Sequence, residues 1–193
     1  MWPRLSSAAR STLAVLATGL AIKLMDDIFD GEETTVAGLS TAGATIYAMV
    51  ALAIGVALAP AVGLPLFAAA YAVGMAGDPQ ETLPSGMPAW VESALALAVA
   101  AAISGIAAMA HALLVVAAVQ LVDDVLDFQA DSAIPERNLA HRFGRGEAAL
   151  AAIICAVLAT AFGWGLPAAA GLAYALVRAL ELRHTGRAGR CCS

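Results

Sequence analysis

Residues 21–30 read AIKLMDDIFD, and residues 118–127 read AVQLVDDVLD. The two stretches align without a gap at an offset of 97 residues, with all three aspartates coinciding and apolar positions matching apolar positions. Each stretch closes an apolar run with the length of a membrane helix, and each is followed by two more candidate helices. The chain therefore reads as a duplicated three-helix unit, with halves at about 6–77 and 106–183 and an extra helix at about 88–104 between them. Internal symmetry of this kind commonly places a site at the interface of the repeats.

Composition sets the same frame. Of 193 residues, 61% are hydrophobic and 13% charged, against about 45–50% and about 25% in soluble domains. The excess is spread along the chain in repeated runs, which predicts an all-α, polytopic transmembrane helical bundle forming one domain over 1–193. Ala and Gly dominate, which suits helices packed closely in lipid. The net charge of −5 comes from local acidic clusters and identifies no basic or acidic partner; no nucleic acid is expected. Arg4 and Arg10 precede an apolar stretch, as in a signal peptide, but that stretch runs into an acidic cluster without a convincing cleavage site and reads as a mature helix. Cys155, Cys191 and Cys192 have neither zinc-site nor disulfide spacing and are expected to be reduced cytoplasmic thiols.

About seven helices emerge: 6–30, 39–58, a third ending near Gly77 after the breakers Pro60, Gly63 and Pro65, a fourth from Trp90 to a break at Ser104–Gly105, then 106–131, 147–162 and 168–183. An unbroken helix from Trp90 to Asp131 is the alternative, but about 40 residues overshoot a bilayer about twofold. With seven crossings, the first and fifth helices end on one side. Arg137, Arg142, Arg145, Arg183, Arg187 and Arg190 fall on that side too, and the positive-inside bias makes it cytoplasmic. The expected location is an integral, multi-pass cell membrane protein with its aspartate clusters facing the cytoplasm.

Seven of the eight aspartates lie in the two clusters. Asp26 and Asp30 stand one helical turn apart, and Asp123, Asp127 and Asp131 extend that spacing over two turns, so each set shares a face. Asp27 and Asp124 sit about 100° around the helix. Carboxylates this close repel unless a cation neutralises them, and oxygen-only ligands favour Mg²⁺. Mg²⁺ usually binds through one or two carboxylates together with substrate phosphates. Two facing clusters could thus hold ions around a diphosphate. The plainer reading is an acidic helix end leaving the membrane. Carboxylates at a helix C-terminus oppose the macrodipole, though, and here the pattern occurs twice.

Arg137 and Arg142 follow the second cluster and suit phosphate oxygens; their plainer role is to anchor a cytoplasmic loop. Lys23, the only lysine, lies one turn before Asp27 in an apolar helix, which marks either an anion contact or a structural ion pair. His111, mid-helix in an apolar run, reads as a packing residue.

The segment DDVLDFQADSAIPERNLAHRFGRGEA, beginning at Asp123, resembles the second aspartate motif of the UbiA-type intramembrane prenyltransferases, with Asp123, Asp124, Asp127, Asp131, Arg137, Leu139, Ala140, Arg142 and Gly144 matching. DDIFDGEET resembles the first motif at Asp26, Asp27 and Asp30. The likeness covers about 40 residues in motifs, plus the helix order. Asp26 stands where the family often has Asn, Thr34 where it usually has Asp, Pro135 for a usual Gly and Asn138 for a usual Thr. The seven helices look like the family's second through eighth.

The resemblance implies an Mg²⁺-dependent intramembrane prenyltransferase that moves an isoprenoid group from an isoprenoid diphosphate to an aromatic or other lipophilic acceptor. Asp26, Asp30, Asp123, Asp127 and Asp131 would be its catalytic metal ligands. Lys23, Asp27, Asp124, Arg137 and Arg142 would be its substrate contacts. A chain this short would need a second copy or a partner subunit to close its cavity. The alternative is a non-catalytic membrane protein that binds a lipid diphosphate or a divalent metal.

Overall fold

A computed structural model describes residues 6–30, 39–128 and 138–188. Among these residues there are eight α-helices: α1 (Ser7–Asp30), α2 (Thr41–Leu58), α3 (Pro60–Gly74, continued by a 3₁₀ turn at Met75–Gly77), α4 (Ala89–Ser104), α5 (Ile106–Leu126), α6 (Leu139–Phe143), α7 (Arg145–Phe162) and α8 (Gly165–Ala188). Five segments are long and apolar enough to cross a membrane: Ser7–Ile28, Thr41–Leu58, Pro60–Gly77, Ile106–Leu126 and Arg145–Phe162. The two other expected crossings are shorter. Helix α4 has 16 residues, about 24 Å at 1.5 Å per residue, against a hydrocarbon core of about 30 Å. The apolar part of α8 covers Gly165–Ala179.

Local chemistry explains the breaks. The Ser40 hydroxyl accepts from Gly43 N–H at 3.2 Å and starts α2. Pro60 opens α3, where its missing N–H costs nothing. At Gly105 the backbone takes φ +92°, a conformation that disfavours any side chain, and α4 stops there. The break thus falls where the sequence places it. Helix α6 lies in a stretch that reads as loop. Asn138 makes it, because its Oδ1 accepts from Ala140 N–H at 2.9 Å and His141 N–H at 3.3 Å.

Small residues set the packing. Helix α1 lies along α2, and a methyl group added at Gly55 would collide with the Thr18 hydroxyl and sit 3.1 Å from the Ala14 carbonyl. Helix α5 lies along α7. Helices α3 and α8 each touch both α1 and α5. Val15, Leu66, Ala69, Ala100, Met109, Ala112, Val115 and Ala159 form a buried core drawn from α1, α3, α4, α5 and α7. The largest wholly buried side chains are Leu24, Thr18 and Pro65. Outward faces are apolar instead, as with Ile46, Met49 and Ile54 on α2 and Leu150, Ile153 and Val157 on α7. Such surfaces suit lipid and would be a liability in water.

Three contacts fix which helix ends meet. Tyr71, near the end of α3, donates to Glu92 in the first turn of α4 at 2.5 Å, so α4 begins where α3 finishes. A small cleft is lined by Val73, Gly74, Ala76 and Gly77 at the end of α3 together with Gln120 and Asp124 near the end of α5. Gly19 of α1, one turn before Lys23, packs on Ala173 of α8, whose neighbour Tyr174 bonds Asp123 near the end of α5. Helices α1, α3 and α5 therefore finish at the same end of the bundle, which carries the acidic residues.

Candidate functional site

On α1, Lys23 Nζ lies 3.0 Å from Asp27 Oδ1 and 3.9 Å from Asp26 Oδ2. Asp27 is buried, whereas the Asp26 side chain is 64% exposed. An i,i+4 ion pair of this kind neutralises a carboxylate that the helix could not otherwise bury. Asp30 is the last residue of α1, and its side chain lies outside the described residues.

On α5, Asp124 is the buried member. Its Oδ1 accepts from Gln120 Nε2 at 3.0 Å and its Oδ2 from the Leu139 N–H at 2.9 Å. The Asn138 amide donates to the Asp124 carbonyl at 3.0 Å. His141 Nε2 donates to the Phe128 carbonyl at 2.8 Å, and the two rings stack with centroids 4.1 Å apart. Asp124 thus ties α6 to the end of α5, a structural task that the sequence reading did not give it.

Asp123 and Asp127 are half-exposed and face α8. Tyr174 donates its hydroxyl to Asp123 Oδ1 at 2.7 Å. Arg178 Nη2 lies 3.8 Å from that same oxygen and makes a close ion pair with Asp127 Oδ1. One guanidinium nitrogen therefore serves both carboxylates, which stand one turn apart on α5.

Tyr174 and Arg178 are site residues that the sequence reading passed over. They stand one turn apart in an apolar helix, and an ionisable side chain in such a helix is a functional candidate. That rule singled out Lys23 and applies equally to Arg178. The expected Asp131 and Arg137 lie outside the described residues. Arg142 is exposed, with its guanidinium 5.7 Å from the centroid of the Phe143 ring. His111 stacks on Phe162 at 5.5 Å, as a packing residue would.

Among the described residues, no three His, Cys, Asp or Glu side chains lie close enough to share a metal ion. The carboxylates come in pairs, Asp123 with Asp127 and Asp26 beside Asp27. Pairs suit Mg²⁺, which needs one or two carboxylates when phosphate oxygens and water complete its shell. The donors are all oxygen, and Asp26, Asp123 and Asp127 keep exposed edges, so the residues present fit a hard divalent ion.

No family model, curated protein or solved structure matches this chain.

Proposed function

We propose that this chain is an Mg²⁺-dependent intramembrane prenyltransferase of the UbiA type, which takes an isoprenoid diphosphate and passes its prenyl group to a lipophilic acceptor. The observation that carries this reading is the gathering of acidic residues of α1 and α5 and two cationic side chains, Lys23 and Arg178, around α8 in an apolar bundle. Carboxylates alone repel a diphosphate, and cations alone would not call for so many aspartates. Together they match a metal–diphosphate pair. The parallel placing of Lys23–Asp27 and Gln120–Asp124, one turn apart and both at 3.0 Å, supports the duplicated three-helix unit.

Asp26, Asp123 and Asp127, with Asp30 and Asp131, would hold the metal. When bound, Mg²⁺ neutralises the charge that develops on the departing diphosphate. The protein's own groups do the rest. Arg178 and Lys23 bind diphosphate oxygens, and Arg137 and Arg142 are further candidates from the segment after α5. Tyr174 orients Asp123. The apolar helices take the prenyl chain and keep water from the allylic cation. If all seven helices cross, the arginine bias favours a cytoplasmic position for this end. Since α4 and the apolar part of α8 are short for a bilayer, a second copy or partner subunit would complete the wall.

The test uses purified chain in detergent with Mg²⁺, isoprenoid diphosphates of several lengths and aromatic acceptors. Pyrophosphate release is expected, and Asp127→Ala should lower it about 100-fold or more. Absence of release across all substrates would sink the enzyme reading. One observation favours a second reading, a non-catalytic binder of lipid diphosphate or metal: Lys23 and Arg178 already pair with carboxylates inside the protein. That reading predicts Mg²⁺-dependent ligand binding without release.

A further inference from the structure

Each acidic end holds a cationic nitrogen between two carboxylates. On α5, Arg178 Nη2 engages Oδ1 of both Asp123 and Asp127. On α1, Lys23 Nζ stands between Asp26 and Asp27. A divalent ion bound by Asp123 and Asp127 would draw on the same carboxylates, so it competes with the guanidinium for them. Once displaced, that guanidinium would lie beside a dication with only 30% of its side chain exposed. Repulsion and the loss of these two carboxylate contacts both oppose a bare ion. An ion that arrives with a diphosphate escapes both penalties, because the anion's oxygens take up the guanidinium while the ion takes the carboxylates.

We infer that Arg178 is an exchangeable counter-ion: it holds Asp123 and Asp127 in the free protein and passes to a phosphate-type anion when a divalent ion takes those carboxylates, so that ion and anion bind as a pair. This rests on the proposed metal–diphosphate site and deepens it by setting how the site loads. Tyr174 keeps its own hydrogen bond to Asp123, so that carboxylate stays aimed at α8 throughout the exchange. Linkage makes the effect reciprocal, since the anion tightens the ion by the factor by which the ion tightens the anion. It also keeps the empty site from collecting stray metal.

The experiment is Mn²⁺ binding to the full chain in detergent, read from the loss of the free-ion paramagnetic signal, with and without inorganic pyrophosphate. Complex formation between the two in solution is subtracted. For the wild type, pyrophosphate is expected to tighten Mn²⁺ about tenfold or more. Arg178→Gln should bind bare Mn²⁺ about tenfold more tightly than wild type and gain less from pyrophosphate. Arg178→Lys, which keeps a cation, should stay near wild type.

Equal wild-type affinity with and without pyrophosphate would overturn the inference. So would an Arg178→Gln protein whose affinity for bare Mn²⁺ is unchanged while Asp127→Asn abolishes it. The underlying reading fails differently, through a wild type that holds no Mn²⁺ either alone or with pyrophosphate. The wild-type titration decides the matter even where the glutamine variant does not fold.

Discussion

The two acidic helix ends solve one problem by different means. On α1 the buried Asp27 is met by Lys23, one turn earlier, at 3.0 Å. On α5 the buried Asp124 is met by Gln120, also one turn earlier and also at 3.0 Å. The geometry is the same, but the partner on α5 is a neutral amide. Positive charge on the α5 side comes from another helix, through Arg178 of α8. The buried carboxylate of α1 is therefore neutralised within its own helix. The α5 end depends on the docking of α8 and, through Leu139 and Asn138, of α6. A local solution survives the loss of tertiary contacts, whereas a tertiary one couples the site to the assembly of the bundle.

The sharpest way to break this comparison is to remove the two buried carboxylates separately. Asp124→Ala leaves the Gln120 amide and the Leu139 N–H without their acceptor and frees α6, with an expected loss of about 2–4 kcal/mol in equilibrium unfolding in detergent micelles. Asp27→Ala leaves a partly exposed lysine that can turn towards Asp26, so about 1–2 kcal/mol is expected. Equal losses would mean that α6 gains nothing from Asp124. Next in size is Lys23→Gln, which gives α1 the residue found on α5. It should cost about 1–2 kcal/mol, because the amide can still donate to Asp27 but the buried carboxylate loses its counter-charge, and it should weaken pyrophosphate binding to the metal-loaded protein. Unchanged pyrophosphate affinity would confine Lys23 to structure. The smallest effect is expected from Tyr174→Phe, at about 0.6 kcal/mol for one hydrogen bond between membrane helices. A larger loss would show that Asp123 depends on α8 more than one bond can explain.

Much of this was legible in the residues. Long apolar runs marked the helices, and Pro60 and Gly105 marked two of the breaks. The shared face of Asp123 and Asp127 followed from their spacing, and both do meet the same partner. Helix α6 was not legible, because five residues carry no periodicity and only the Asn138 cap betrays it. The role of Asp124 was hidden because its partners, Asn138 and Leu139, lie far along the chain. Arg178 could have been found, since a cation within an apolar run is costly unless something answers it. What would answer it was a matter of tertiary packing. The number of crossings turned on a few residues of length, and α4, with 16, falls on the short side.

Among the described residues the interior of this bundle is mostly alanine, with no wholly buried side chain larger than Leu24. Alanine has no side-chain torsion to freeze, so these helices meet with almost no loss of rotamer freedom. A bilayer would already have limited the tilt and depth of each helix before they touch. Little ordering then remains for assembly to oppose, and even shallow dispersion contacts between methyl groups suffice to hold the helices in register.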